Sequence, residues 1–464
     1  MKGLLFVYLL TYGGAILALF RPFYGLHAYM VLAVLRPDHL WAWALPSEGS
    51  FSKIVGIALL IGWTIHGMGD WDFRHGKPIL WIMIAYLCCI VASASMASNQ
   101  DVAWKYVELH SKILIPIIVG MTIIESIEEV RALAWTLVLC VGYLAYEAHG
   151  MYFGGRLPEF RDEGMLGMDN NSVCISMAAG AGLAIFLGFS AQSWSAKLLA
   201  FGLAGLMVHV PMFGQSRGGM LGIAVVGGVA FLLLPKRIEM LATYAAGSLV
   251  ALRMAGPAVM ERFSTVFADS ENRDESAQSR FDLWSDCWDV MIQHPLLGIG
   301  PDHWPLIAKD YGWPPGKEAH SLWFNCGAEL GFIGLGLLIA LYVGTIVLVW
   351  VNLCRPTDDV SPELQSLGRM TITALAGFMV SASFVSLDAL ELPFYTILIG
   401  VSSLKLAGLE QTLQHRTAST QKRYWPQASH SAADLQKQIA FPRPNLPSAK
   451  PITSSAPDTA EWRL

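Results

Sequence analysis

The stretch Gln293-His-Pro-Leu-Leu-Gly-Ile-Gly-Pro-Asp-His303, followed shortly by Glu318-Ala-His320-Ser-Leu-Trp-Phe-Asn325, decides how this chain is read. It closes a polar segment, residues 256–319, and at His320 the sequence turns apolar and enters a long membrane helix. An imidazole therefore stands where a water-facing loop meets the bilayer surface, with Arg280 upstream in the same loop. On both sides of this segment the chain is a succession of apolar runs. Hydrophobic residues make up 54% of it and charged residues only 14%, against about a quarter charged in soluble domains. Many windows approach the ~18 to 20 apolar residues that cross a bilayer. They are continuous rather than alternating, which excludes a membrane barrel. The expected fold class is an all-α polytopic membrane protein.

Spans are expected at residues 3–20, 23–36, 52–68, 78–97, 104–124, 130–149, 171–189, 197–213, 218–235, 238–255, 321–351, 366–386 and 389–407. The second ends at Arg36-Pro37 and reads equally as an interfacial or re-entrant segment, giving about 12–13 transmembrane helices. The first follows Met1-Lys2 like a signal peptide, but it lacks a small-x-small cleavage site and is read as a retained span. Lys77, Arg131, Lys197, Lys236 and Arg237 fall on one side together with the tail, which the positive-inside rule makes cytoplasmic. The large loop then faces the periplasm, before the last three spans. Arg156 and Arg161 lie on that outer side against the rule, a hint of an anionic ligand.

The domains expected are N-terminal membrane helices at 1–168, central membrane helices at 169–255, and the periplasmic loop at 256–319. C-terminal membrane helices follow at 320–407, and 408–464 is a disordered cytoplasmic tail rich in Gln, Ser, Thr, Pro and Ala. A net charge of −5 argues against a nucleic-acid partner. Most of the seven cysteines lie in or beside spans, so no disulfide framework is implied.

Arg217 sits in Phe213-Gly-Gln-Ser-Arg217-Gly-Gly219 between two spans. The glycines let backbone N–H groups approach a ligand, the following helix presents its positive end, and arginine suits phosphate geometry. A snorkelling arginine at a turn is the plainer alternative. Arg280 opens a stretch in which Phe281, Trp284, Trp288 and Met291 recur at helical spacing, so it reads as an amphipathic helix; a solvated arginine would fit that spacing equally. His320 is the residue type that accepts protons near neutrality, although a lone histidine more often caps a helix. Glu329, nine residues further into the span, is an acid whose burial is costly and points to function. Asp70-Trp-Asp72 resembles the D-x-D metal motif but falls on the cytoplasmic side. His294, Asp302 and His303 match no metal-ligand spacing, and neither a metal nor a cofactor is expected.

Ser216-Arg-Gly-Gly219, Arg280, His294-Pro-Leu-Leu-Gly-Ile-Gly300, and His320 through Asn325 followed by Glu329-Leu-Gly331 resemble the O-antigen ligase and polymerase superfamily. Arg21-Pro22 and Arg36-Pro-Asp-His39 resemble its subgroup of O-glycosylation ligases that accompany the exosortase sorting system. The resemblance implies a GT-C-like membrane glycosyltransferase in the bacterial inner membrane, its active site facing the periplasm. It would move a glycan from undecaprenyl diphosphate to a hydroxyl acceptor on lipid, protein or glycan, independently of metal. By that resemblance Arg217 and Arg280 would hold the diphosphate, and His320 would be catalytic, orienting the acceptor hydroxyl or removing its proton. Arg161, from its place against the charge rule, and Glu329, from its burial, are further candidates for binding substrate. A polymerase joining two lipid-linked glycans needs the same residues. A lipid-linked oligosaccharide transporter would instead string polar residues through the spans, where His66, His209, Glu329, Asp388 and Glu391 are few, and no inverted pair of broken helices is present.

Overall fold

In a computed structural model, residues 2–45, 50–254, 275–355, 360–387 and 390–424 are described. Among them the structure is helical, with no strand. Each expected span is a helix: α1 Gly3–Phe20, α2 Pro22–Leu35, α3 Phe51–Ile65, α4 Lys77–Met96, α5 Gln100–Ile123 and α6 Ile127–Phe153. After a short α7, Leu157–Glu163, come α8 Asn170–Ser190, α9 Trp194–Phe213, α10 Arg217–Leu233 and α11 Ile238–Met254. The polar segment holds α12, Glu275–Gln293, and α13 Leu322–Val349, α14 Pro362–Ser381 and α15 Leu392–Tyr424 complete the chain. Among the described residues, eight helices are long and apolar enough to cross a membrane, and α2, α3 and α10 are apolar but shorter.

Caps fix where these helices begin. Asn99, Ser126, Asp169, Ser193 and Ser216 each accept a backbone N–H of the turn they open, satisfying donors that hydrocarbon would leave bare. α8 is buried almost throughout and packs on α6, α9, α10 and α14. Its small residues allow the close approach: a Cβ on Gly182 would lie 2.9 Å from the α14 backbone at Ala374. Large apolar side chains such as Trp194, Leu198 and Leu232 point outward, as lipid-facing positions do.

Contacts divide the chain into two units, Met1–Thr412 and Leu413–Leu464. The tail expected to be disordered from 408 is helical as far as Tyr424, and residues 425–464 lie outside those described. In α12 the buried side chains are Leu283, Cys287, Val290 and Met291. The expected stripe is therefore shifted: Phe281 and Trp288 lie on its flank, each 45% exposed. The start of the loop, residues 255–274, is outside the described residues.

Candidate active site

Four turns converge at one end of α8, α10 and α14. Asp169 caps α8, and the next two side chains reach across to the α9–α10 turn. Asn170 Nδ2 donates to the Gly214 carbonyl at 2.8 Å, and Asn171 Oδ1 accepts from Ser216 Oγ at 2.8 Å. Arg161, in the last turn of α7, donates through Nε and Nη2 to the Phe213 carbonyl at 3.0 and 2.7 Å. It thus closes the end of α9, where carbonyls lack helical partners. These bonds fix the turn that carries Gln215, held at φ 54°, and Arg217, the first residue of α10.

The fourth contribution comes from α12. The Trp284 indole N–H donates to the Ala319 carbonyl at 3.1 Å, and its ring stacks on Phe324 at 5.3 Å. Arg280 lies one turn before Trp284 and shares its face, so the contact that docks α12 beside His320 also brings Arg280 in. Arg161, Asp162, Asn170, Asn171, Arg217 and Arg280 line one cavity of about 350 Å³, with Phe384 also in its wall. That volume is within the range of small-molecule sites. Three guanidinium groups against one carboxylate leave a formal excess of two positive charges.

His320 is outside the cavity lining but within the electrostatic reach of Arg280. Burial, then the charges of Lys317 and Arg280, pull its imidazole down to about 4, with Asp169 opposing. The ring is therefore neutral at physiological pH. His320 also holds a left-handed backbone, φ 50°, a conformation costing a side-chain-bearing residue about 1–2 kcal/mol. Such strain clusters at functional sites. Glu318 is pushed up by burial and by the Asp169 and Asp302 carboxylates.

Glu329 stands apart from the cavity lining. Its Oε2 accepts the Asp302 N–H at 2.9 Å and its Oε1 the Trp304 N–H at 3.1 Å. The carboxylate thereby fixes the loop that follows Gly300, and the two charge-assisted bonds offset its burial. The surrounding motif is a docking device as well. Ile299 and Gly300 donate to the carbonyls of Ala328 and Glu329, and Phe332 donates to Pro295. At Gly331, φ 68°, the helical dihedrals of α13 are interrupted. A Cβ there would lie 2.6 Å from the Leu296 carbonyl carbon, so only glycine permits this approach. Replacing Glu329 with Ala strands two N–H groups at about 1–3 kcal/mol each. The variant should melt several degrees lower in a thermal scan; unchanged melting with lost activity would put Glu329 into the chemistry instead.

Other candidate residues are engaged elsewhere. Asp70 and Asp72 pair with Lys405 at 3.3 Å and Arg74 at 3.0 Å. His303 is buried between the Asn99 N–H and the Pro301 carbonyl. No group of three metal-ligating side chains occurs among the described residues. Asp388 is outside them, and Glu391 lies near Arg36 in a separate small cavity. Asp162, Asn170, Asn171, Gln215 and Phe384 were not singled out from the sequence. The polar run Asp169-Asn-Asn-Ser172 opening an apolar helix was the available signal.

Fold and cavity together define an all-α polytopic membrane protein with a cation-lined site at one end of its helices. Residues 200–339, which include Arg217, Arg280, His320 and Glu329, match the O-antigen ligase family. That match supports a place in the O-antigen ligase superfamily, whose members are ligase- or polymerase-like glycosyltransferases acting on lipid-linked glycans. Residues 1–152 match a family of unknown function, and Arg161 falls between the two matches. No curated protein matches the chain.

Proposed function

We propose that this protein transfers a glycan from undecaprenyl diphosphate to a hydroxyl acceptor at the periplasmic face of the bacterial inner membrane. The observation that carries the reading is the set of three guanidinium groups, Arg161, Arg217 and Arg280, around one cavity at helix ends. Their excess of two positive charges complements a diphosphate diester, which carries two negative charges. In the reaction the acceptor oxygen attacks the anomeric carbon, and the bond from that carbon to the diphosphate oxygen breaks. The electron pair leaves with undecaprenyl diphosphate. Fixed guanidinium charges stabilise the negative charge developing there without reorganising. The hydroxyl proton passes to His320, whose ring is neutral and ready to accept it.

Arg280 links the two halves of this chemistry. Its side chain lines the cavity, and after burial and Lys317 its charge adds to the pull that lowers the His320 imidazole. When a diphosphate occupies the cavity, its negative charge offsets that of Arg280, and His320 becomes more basic as the proton arrives. The resemblance of Arg21-Pro22 and Arg36-Pro-Asp-His39 would place the protein among the ligases that accompany exosortases.

Incubating purified protein with undecaprenyl-diphosphate-linked glycan and hydroxyl acceptors tests the reading. A glycosylated acceptor and free undecaprenyl diphosphate are expected, unaffected by a chelator. Glycan chains lengthening on undecaprenyl diphosphate would identify a polymerase. Movement of intact lipid-linked glycan across vesicles with no bond broken would identify a transporter.

A further inference from the structure

At the other end of the same helices lies a second charged cavity. α8, α10 and α14 each have one end at the arginine-lined cavity, and the opposite ends meet in a space of about 430 Å³. α8 has 21 residues, so the two sites are separated by about 30 Å, the thickness of a bilayer's hydrocarbon core. The second cavity is lined by Arg237 and Arg369, by Glu363, and by Gln192 and Gln365. Arg369 Nη2 donates to Gln365 Oε1 at 3.0 Å, which holds its guanidinium in place.

Two features set this cavity at the level of lipid headgroups. Lys197 and Lys236 lie over the rings of Trp194 and Phe231 at 5.3 and 4.1 Å at the same ends of α9 and α10. Lysine and aromatic side chains take such places at a membrane interface. The cavity also adjoins an apolar groove of about 420 Å³ between α8, α9, α10 and α11. Phe189 lines both spaces, and Met240 of the cavity is one turn from Thr243 and Tyr244 of the groove.

We propose that this cavity and groove bind one anionic phospholipid, with its phosphodiester between Arg237 and Arg369 and an acyl chain in the groove. Charge complementarity selects the headgroup. Two arginines against Glu363 leave one formal positive charge, which the single net negative charge of an anionic phospholipid neutralises, whereas the phosphodiester of a zwitterionic lipid is already balanced by its own headgroup cation. Basic pockets between membrane helices are known sites for anionic headgroups. The groove selects a lipid over a free anion, because inorganic phosphate would leave it unfilled. The inference depends on the membrane reading and is independent of the transfer reaction.

Native mass spectrometry of delipidated protein in detergent, titrated with phosphatidylglycerol, phosphatidylcholine or inorganic phosphate, tests it. One phosphatidylglycerol should be held about tenfold more tightly than phosphatidylcholine. The double variant Arg237→Gln/Arg369→Gln should lose that molecule, while Arg280→Gln keeps it. Gly205 lines the groove with open space beyond its Cα, so Gly205→Leu should weaken lipid binding without disturbing the arginines. Loss on Arg280→Gln instead would assign the lipid to the other cavity. Equal binding of both lipids, or phosphate competing at full strength with Gly205→Leu silent, would also overturn the proposal.

Discussion

Replacing Arg280 with glutamine is expected to lower kcat for glycan transfer by about 10²–10³-fold, with the protein still folded and inserted. Removing one fixed donor from a developing anion costs that much in comparable sites, and Arg280 has a second effect on His320. Arg161 already bonds the Phe213 carbonyl through Nε and Nη2, so its substitution mixes loss of charge with loss of the turn. Arg280 sits on α12, which the Trp284–Ala319 bond, the Trp284–Phe324 stack and the Leu283–Cys287–Val290 face dock against the rest of the protein. Lysine at this position should restore only part of the rate, because a point charge lacks the planar fork. Transfer by purified Arg280→Gln at the wild-type rate, with product identified by mass, would remove this residue from the mechanism.

The bilayer explains why the helices were legible and why much of the site was not. A span announces itself by composition alone, since continuous apolar residues have few other folds available in lipid. Every expected span is therefore helical, although some helices are too short or too polar to count as crossings by themselves. Glu329 shows the limit of that logic. An acid among apolar residues reads as functional because hydrocarbon makes a charge costly. Here the compensation comes from the N–H groups of Asp302 and Trp304, more than twenty positions upstream, and no local pattern carries that pairing.

The same holds for the second rank of the cavity. Asn170 and Asn171 acquire their meaning from Gly214 and Ser216, which only the packing of α8 against α9 and α10 brings near. The pattern on α12 was legible as a helix but not as a face. Of the aromatics read as its apolar face, Phe281 and Trp288 remain half exposed on the flank, while Trp284 stacks on Phe324. Smaller Leu283, Cys287 and Val290 fill the interior beside Trp304 and Ala328. Amphipathic rings at a bilayer surface favour such a flank. The motif around Gly298 and Gly331 was legible as a motif, while its physical content, two backbones in contact, needed the fold.

His320→Gln is expected to reduce transfer by about 10²–10⁴-fold, the usual contribution of a positioned base, and the pH profile separates that role from mere helix capping. Burial, then Lys317 and Arg280, hold the ring at about 4 in the unliganded protein. In kcat/KM, which reports the free enzyme, activity should therefore fall only as pH drops through about 4, where the ring gains a proton and loses its acceptor lone pair. An unperturbed histidine would place that limb near 6.5. The sign of a second change follows from the same charges. Lys317→Gln removes one cation beside the ring, so protonation becomes easier and the limb should move to higher pH. Lys317 is not among the cavity-lining side chains, so this shift should come without the large rate loss expected at Arg280. A limb unmoved by Lys317→Gln, or a His320→Gln variant whose residual activity keeps the same acid limb, would show that another group accepts the proton.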